Sequence, residues 1–236
     1  MVLVSATKGL EPSTHLRMTE MLGQLFLGKS LAAPQVAVLS GPSFALEAAR
    51  GDPTAVVVAA QDANCATAIQ QEFAGPSFRI YTNDDVLGVE LAGAMKNVIA
   101  IAAGACQGLG LGANAIAALI TRGLAEMSRL AFALGAKLET LSGLAGLGDL
   151  VLTCTGALSR NRQLGIELAK GRSLPEILAS TRTVAEGVGT AAALLALAAD
   201  HHIELPITAQ VDAILHHHKS PREAISAIME RPQKRE

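Results

Sequence analysis

A chain of 236 residues, half of them hydrophobic, can bury a substantial core, so we expect one large globular domain or two ordinary ones. Its formal net charge is −2, with acids and bases dispersed, and its one tyrosine, five phenylalanines and absent tryptophan offer no aromatic stacking platform. Both properties argue against a nucleic-acid partner. The three cysteines have no C-x-x-C spacing, which indicates reduced, mostly buried thiols in a cytoplasmic protein. The first residues do not resemble a signal peptide, so secretion is not indicated.

The first 84 residues alternate between two patterns. Short apolar and β-branched runs predict four strands, at 2–5, 35–39, 54–60 and 77–82. Helical spacing predicts helices at 14–27, after Ser43 as far as Arg50, and at 63–73. Strands that alternate with helices predict an α/β domain with a mostly parallel sheet, and 2–5 is expected to be a buried strand in it.

From residue 85 onward, alanine, leucine and glycine at helical spacing predict helices alone. The predicted helices lie at 85–106, 113–135, 138–142, 146–153, 160–170, 174–180, 184–201, 206–216 and 220–230. The chain therefore divides into an α/β part at 1–84 and an all-helical part at 85–236. No low-complexity linker separates the two parts, so we expect them to share an interface.

One stretch, Asn97 to Thr121, is uncharged and long enough to span a membrane. Polar residues and a glycine cluster interrupt it, so we predict two buried helices joined by a turn, and no membrane span. The turn, Gly108 to Ala113, formally matches the G-x-G-x-x-A dinucleotide fingerprint. That motif requires a preceding strand, whereas a helix is predicted here, so we do not assign it as a phosphate loop.

The stretch from Glu90 to Gly104 places one lysine, Lys96, among small apolar neighbours. Burial in such a surface lowers the pKa of an ammonium, which suits a general acid/base, and small neighbours leave room for a ligand. The alternative is a lysine that snorkels to water beside a glycine and alanine packing face. This stretch alone leaves both interpretations open.

Two segments follow predicted strands at the sheet edge where α/β folds bind ligands. The segment Ser40 to Ser43 joins a strand to a helix, and it is either an anion site at the helix N-terminus or an N-cap with proline in the first turn. Lys8 also follows a strand and either reaches the same crevice or lies on the surface.

The stretch from Gly143 to Gly165 contains a second group of polar residues. Asp149 lies between a glycine-rich turn and an apolar run, where a carboxylate needs a partner such as Lys96. Ser159 to Arg162 offers a hydroxyl, two guanidiniums and an amide, the donors that hold a phosphate dianion. The alternative for this run is a solvated helix surface.

Two histidine clusters, His201-His202 and His216 to His218, suggest a metal site by composition alone. Adjacent helix residues face directions about 100° apart, so neither cluster can direct all its rings at one ion. We predict solvated helix ends and no metal.

Six stretches, in order along nearly the whole chain, resemble the bacterial NAD(P)-dependent glycerol-3-phosphate dehydrogenase family. They are SATKG at Ser5, SGPSFA at Ser40, NDDVLGVELAGAMKNVIAIAAG at Asn83, NAIAALITRGLAEM at Asn114, GLAGLGDLVLTCTGALSRNRQLG at Gly143 and VAEGVGT at Val184. The resemblance implies a partial Rossmann-like sheet followed by a larger helical domain. It also implies reversible hydride transfer between NAD(P)H and dihydroxyacetone phosphate, giving sn-glycerol 3-phosphate for phospholipid synthesis.

The resemblance also implies roles for individual residues. Lys96 matches the catalytic acid/base, and Asp149 matches an active-site carboxylate that holds Lys96 and the substrate hydroxyls. The other substrate-contacting matches are Lys8, Gly41, Ser43, Ser159, Arg160 and Asn161. The matches that touch the dinucleotide are Lys8, Ala45, Arg160, Val184 and Glu186.

One departure from the family pattern matters. Family members begin with a strand and a G-x-G-x-x-G turn that binds the cofactor pyrophosphate, and that half has no counterpart in this sequence. We therefore expect an N-terminally truncated chain whose preference between NAD and NADP is undetermined. An exposed sheet edge would favour self-association, with a homodimer as one form of it. Two alternatives stay open: a non-catalytic helical dimerisation and sugar-phosphate-binding module, and a sister dehydrogenase acting on a hydroxy acid.

Overall fold

The structure is a computed structural model that describes residues 1–27, 34–180, 185–233 and 235. Its sheet has the strand order β1-β2-β3-β4. The strands are β1 (Val2–Ser5), β2 (Gln35–Ser40), β3 (Thr54–Ala60) and β4 (Phe78–Asn83). Two of the pairings, β1 with β2 and β3 with β4, are parallel, as the sequence predicted for most of the sheet.

The pairing of β2 with β3 is antiparallel, with Ser40 opposite Val57. A parallel pairing needs a crossover that returns the chain to the edge where the first strand began. The connection here contains only the helix Ala45–Ala49. Five helical residues span about 7.5 Å, whereas a six-residue strand spans roughly 20 Å, so the chain cannot return and reverses direction instead.

The prediction that 2–5 is a buried strand was wrong. β1 lies at one edge of the sheet, and the side chains of Val2 and Val4 are 44% and 39% exposed. By contrast, β3 is central, and Val56 and Val58 are fully buried. Both β1 and β3 are rich in β-branched residues, so composition alone could not distinguish the edge strand from the central one.

The described helices cover most of the remaining chain, and the bounds of those after residue 85 agree closely with the predicted ones. They are α1 (Met18–Leu27), α2 (Ala45–Ala49), α3 (Ala63–Phe73), α4 (Val86–Gly108), α5 (Ala113–Ala133), α6 (Leu138–Ser142), α7 (Asp149–Thr155), α8 (Arg160–Ala169), α9 (Leu174–Ser180), α10 (Gly187–Asp200), α11 (Pro206–His216) and α12 (Pro221–Met229). The helix predicted at 146–153 begins at Asp149, because the glycine-rich residues Leu144–Gly148 form a π-helical turn before it.

Helix α1 begins four residues later than the predicted 14–27. The carboxylate of Glu11 accepts hydrogen bonds from the backbone N–H groups of Ser13 and Thr14, which closes a turn in place of a helix start. An isolated bridge between Leu10 and Arg17 then brings the chain back on itself. A side chain that satisfies backbone donors locally competes with the helix, and here it displaces the helix start.

Helix α4 is the centre of the molecule. It is long and apolar enough to cross a membrane, but 83% of its apolar window is buried inside the fold, as in a core helix. It ends at Gly108, and the turn before α5 divides the uncharged stretch as predicted. Cys65, Cys106 and Cys154 are free and buried, which confirms the expectation for the thiols.

Two glycines bring α8 directly against α4. A Cβ atom on Gly104 would collide with the backbone carbonyl of Arg162, and one on Gly165 would collide with the carbonyl of Ile101. The two backbones therefore approach more closely than any larger residue would permit. This contact holds the start of α8, with its N-cap Ser159 and its first residues Arg160 to Arg162, beside the helix that contains Lys96.

Candidate active site

Lys96 lies in the middle of α4 and does not snorkel to water, since the residue is only 6% exposed. Its Nζ atom donates to Oδ1 of Asp149 at 2.8 Å and to Oγ1 of Thr153 at 2.8 Å. Asp149 and Thr153 are one turn apart at the start of α7, so both face α4. The hydroxyl of Thr153 donates in turn to the backbone carbonyl of Asp149 at 2.6 Å.

Lys8 brings a second ammonium to the same carboxylate. Its Nζ atom lies 2.6 Å from Oδ2 of Asp149 and also donates to the carbonyl of Gly41 at 3.2 Å. The surface alternative for Lys8 was therefore wrong. One buried carboxylate thus pairs with two ammoniums, one on each oxygen, which supplies the counter-charge that Asp149 needs at this depth.

The environment of Lys96 shifts its proton affinity. Burial, together with the neighbouring Lys8 ammonium, lowers the pKa of Lys96 from the ordinary 10.5 to about 8, although the Asp149 carboxylate opposes both effects. A lysine whose pKa lies near 8 can exchange a proton near neutral pH. Burial also raises the pKa of the nearby Cys154 thiol to about 12, so this thiol stays protonated and is not a nucleophile.

The segment from Ser40 to Ser43 supplies backbone atoms to the site. Gly41 has a φ of +136°, and a Cβ atom there would lie 3.0 Å from the Cα atom of Val56, so only glycine fits this turn easily. Its carbonyl accepts from Lys8 and from the hydroxyl of Ser43, the latter at 3.1 Å. The N-cap of α2 is Phe44, with no side-chain cap bond, so the expected N-cap with proline in the first turn was wrong.

The run from Ser159 to Arg162 is only partly a solvated surface. Ser159 is buried and caps α8 by accepting the N–H of Arg162 at 3.2 Å. Asn161 is also buried, and its Oδ1 atom accepts the N–H of Gly187 at 3.0 Å. Arg160 is exposed. Two of the polar groups therefore point into the protein, and a cationic one lies at the surface beside them.

A further link joins the start of α10 to the site. The Nδ2 atom of Asn97 donates to Oε2 of Glu186 at 3.1 Å and to the carbonyl of Lys8 at 3.3 Å. Two of the residues expected to touch a dinucleotide, Lys8 and Glu186, therefore share one amide. Val184, another such residue, lies outside the described part of the chain, and Ala45 is exposed at the first position of α2.

Two polar residues of this site, Asn97 and Thr153, were not named as candidates from the sequence, and Ser40 was named only as the start of the segment 40–43. Thr153 follows Asp149 at helical spacing and Asn97 follows Lys96, so their positions offered a signal that was not used. Ser40 is 3% exposed, and its Oγ atom has no hydrogen-bond partner among the described residues. A buried hydroxyl without a partner is uncommon, and it lies beside the Lys8 side chain and Gly93.

Neither the glycine turn nor the histidine clusters add a site to the described chain. A Cβ atom on Gly108 would lie 2.6 Å from the Cβ atom of Ala169, so this glycine permits close packing of α4 against α8. The turn also follows a helix, whereas a dinucleotide phosphate loop requires a preceding strand. Among the residues that the structure describes, no group of three or more His, Cys, Asp or Glu side chains is arranged to hold a metal ion.

The chain matches both models of one enzyme family. The model of the NAD-dependent glycerol-3-phosphate dehydrogenase C-terminus matches residues 85–226, and that of its N-terminus matches residues 1–66. The chain belongs to this family. Members of the glycerol-3-phosphate dehydrogenase family are nicotinamide-dependent oxidoreductases, so the cofactor of this chain is NAD or NADP. The fold of the chain is the Rossmann-like sheet followed by a helical region that the sequence predicted.

Several relatives are similar over nearly the whole chain. Glycerol-3-phosphate dehydrogenase [NAD(P)+] of Koribacter versatilis is 58% identical over 233 residues, covering 98% of this chain and 68% of that protein. The enzyme of the same name from Geobacter sulfurreducens is 52% identical over 239 residues, covering 100% of this chain and 70% of that protein. The chain therefore spans about two thirds of the length of these relatives.

Solved structures show the same fold. The crystal structure of glycerol-3-phosphate dehydrogenase from Coxiella burnetii superposes with a TM-score of 0.87 at 44% identity, covering 97% of this chain and 68% of that one. A Dunaliella salina structure has the same TM-score at 23% identity, covering 100% of this chain and 42% of that one, and shows likeness of fold alone.

Proposed function

We propose that this site interconverts dihydroxyacetone phosphate and sn-glycerol 3-phosphate, with Lys96 as the group that exchanges the proton of the C2 oxygen. The observation that carries the proposal is the buried pair of Lys96 and Asp149, with Lys8 on the opposite carboxylate oxygen. Such a pair is costly as a structural element, because ions lose hydration on burial. A proton donor whose pKa is near 8 accounts for its presence.

The proposed substrate site extends from this pair toward α8. Ser159, Arg160 and Asn161 would hold the phosphate, since guanidinium, amide and hydroxyl groups are suited to its oxygens. On the opposite side, the substrate would contact Lys8, Gly41 and Ser43, as the family resemblance implies. Fixing the phosphate at one end and the ketone beside Lys96 at the other would orient the substrate for reaction.

The described residues suit the nicotinamide end of the cofactor by the chemistry of their side chains. A nicotinamide carboxamide both donates and accepts hydrogen bonds, and Glu186 and Lys8 supply a carboxylate and an ammonium, with Ala45, Arg160 and Val184 as further proposed contacts. When bound, NAD(P)H supplies the hydride that C2 of the ketone accepts. Among the described residues, no glycine-rich turn joins a strand to a helix in the G-x-G-x-x-G pattern that holds a pyrophosphate.

We further propose a division into an α/β domain at 1–84 and a helical substrate domain at 85–236, a cytoplasmic location and a homodimer. The exposed edge strand β1 supports self-association, because unpaired backbone groups at a sheet edge can pair with a second chain. Within the part of the chain that the structure describes, one helix is long and apolar enough to span a membrane, and it is mostly buried in the fold, which supports a protein without a membrane span.

The function is tested by two measurements on the purified chain. We expect calorimetry to detect binding of glycerol 3-phosphate and not of glycerol, and spectrophotometry to detect oxidation of NADPH or NADH that depends on dihydroxyacetone phosphate. Binding of glycerol 3-phosphate without any binding of NADH would favour the non-catalytic sugar-phosphate-binding module. Faster turnover of a carboxylated substrate than of dihydroxyacetone phosphate would favour the hydroxy-acid dehydrogenase instead.

We predict opposite pH dependences for the two directions of the reaction. Reduction of the ketone requires the protonated ammonium of Lys96, so its rate should fall as the pH rises through about 8. Oxidation of glycerol 3-phosphate requires the neutral amine, so its rate should rise through the same pH. An unperturbed lysine would place both transitions near 10.5. Single-turnover rates of hydride transfer from pH 6 to pH 10 would measure both profiles. If neither rate changed near pH 8, the assignment of Lys96 would be contradicted.

A further inference from the structure

We propose that Glu90 is a positioning residue of this site, which anchors the segment from Lys8 to Thr19 across α4 and thereby holds the Lys8 ammonium on Asp149. The role given to Lys8 and Asp149 rests on the proposed function. Glu90 itself lies on the same helix as Lys96, nearly two turns before it. It contacts neither Lys96 nor Asp149 by any described hydrogen bond, so its effect on them would be exerted through the segment it holds.

Glu90 is buried, and both oxygens of its carboxylate are bonded to the start of α1. The Oε1 atom accepts the backbone N–H of Thr19 at 2.9 Å. The Oε2 atom accepts a guanidinium N–H of Arg17 at 2.8 Å and the hydroxyl of Thr19 at 2.6 Å. These are charge-assisted hydrogen bonds in a largely dry environment, so they are strong for their kind.

The other end of the segment is also attached to α4. Asn97 donates to the backbone carbonyl of Lys8. Between the two ends, Leu10 is buried in the core and forms the bridge with Arg17. The segment is therefore fixed to α4 at the level of Glu90, through Leu10 in the core, and at the level of Asn97, one residue after Lys96.

Fixing the backbone matters because of the length of the lysine side chain. Lys8 has four rotatable carbon–carbon bonds, and its side chain is 17% exposed, so its ammonium has access to water. Holding it 2.6 Å from Asp149 costs conformational entropy, and a mobile backbone would raise that cost. Releasing the segment from Glu90 should therefore let Lys8 leave the carboxylate for water.

The pKa of Lys96 should change if the segment is released. The charged groups that act on it are the Lys8 ammonium, the Asp149 carboxylate and the Glu186 carboxylate. Lys8 lowers the pKa of Lys96, while both carboxylates raise it. If Lys8 moves away from Asp149, the remaining neighbours raise the pKa of Lys96 above about 8. A purely structural role of Glu90 would leave this value unchanged.

The chain contains a matched control for substitution of Glu90. Glu126 is also a buried carboxylate, and it also binds the start of a helix, accepting the backbone N–H groups of Ile207 and Thr208 and the hydroxyl of Thr208. It bonds to α11 and to none of the residues between Lys8 and Thr19. Glu90→Gln and Glu126→Gln should therefore destabilise the fold in similar ways, and only the first should affect Lys8.

The experiment is competitive labelling of the amines of the full chain with trace acetic anhydride from pH 6 to pH 10, read by peptide mass spectrometry. In Glu90→Gln, we expect faster labelling of Lys8 and a pKa of Lys96 above that of the unmodified chain. In Glu126→Gln, both should match the unmodified chain. If Glu90→Gln lowers the unfolding temperature but leaves both lysines unchanged, the proposal is overturned.

Two further measurements keep the test decisive. Thr19→Val removes one hydrogen bond to Glu90 and leaves the ion pair of Glu90 with Arg17 in place. It should therefore raise the labelling rate of Lys8 and the pKa of Lys96 by less than Glu90→Gln does. This variant decides the question even if Glu90→Gln does not fold. Calorimetry should show that Glu90→Gln weakens glycerol 3-phosphate binding by about tenfold and that Glu126→Gln does not. If the unmodified chain does not bind glycerol 3-phosphate, the proposed function fails, while the labelling still decides whether Glu90 positions Lys8.

Discussion

Replacing Lys96 with methionine is expected to slow the reduction of dihydroxyacetone phosphate by about 10²- to 10⁴-fold, the usual contribution of a positioned proton donor. Methionine keeps most of the length of the lysine side chain and has no proton to donate. Because burial is the main cause of the lowered pKa of Lys96, removing the ammonium also removes a desolvation cost. Asp149 keeps Lys8 as a partner, so the unfolding temperature at pH 7 should not fall.

The rate should be measured as a single turnover with saturating NADPH, next to urea unfolding of the same variant. Lys137→Met is the control, since Lys137 is a surface lysine paired with the exposed Asp84. It should leave the rate unchanged. Retention of the full rate by Lys96→Met, in a chain that otherwise reduces dihydroxyacetone phosphate, would remove Lys96 from the proposed mechanism.

Replacing Asp149 with asparagine should lower the free energy of unfolding by about 3–5 kcal/mol at pH 7, the usual cost of removing one partner from a buried ion pair. Asparagine has the same shape, but its amide removes the negative charge that the Lys8 and Lys96 ammoniums share. Binding of glycerol 3-phosphate should weaken as well, because the family resemblance makes Asp149 the acceptor for the substrate hydroxyls, and a neutral amide accepts their hydrogen bonds less strongly than a carboxylate.

The stability loss of Asp149→Asn should depend on pH in a defined direction. Asp149 raises the pKa of Lys96, so in the variant this pKa falls below about 8. Between the lowered value and 8, the native variant has lost the proton that its unfolded chain keeps, so its stability rises with pH. The unmodified chain keeps the proton until about 8, so the difference between the two should be larger at pH 6 than at pH 8.

Urea unfolding of both chains at pH 6, 7 and 8 would measure this difference. Asp84→Asn is the control, because Asp84 is an exposed carboxylate that also pairs with a lysine. It should change stability little at any of these pH values. An equally small effect of Asp149→Asn would mean that the two ammoniums do not depend on this carboxylate.

Local pattern was enough to predict most elements of this fold. The strand Thr54–Ala60 was predicted to the residue, and the helices after residue 85 to within three residues at each end, because runs of β-branched residues and helical spacing depend only on neighbours in the sequence. The small apolar surroundings of Lys96 could also be predicted, since these neighbours all lie within one turn of it. The roles of the site residues, and the division into two domains, stay predictions.

What the sequence by itself determined was therefore where most of the strands and helices lie, and which polar residues needed a partner. Only the tertiary structure decided which partners they have. Lys8 and Asp149 are 141 residues apart in the chain, and Lys96 and Asp149 are 53 apart, so no local pattern connects them. The close packing of α8 against α4 also depends on atoms that meet only after folding, because Gly104 faces the backbone of Arg162 and Gly165 faces that of Ile101, far along the chain. The turn closed by Glu11 and the short connection between β2 and β3 are local in the sequence, and there a weak helix pattern and a strand pattern did not show which alternative the chain adopts.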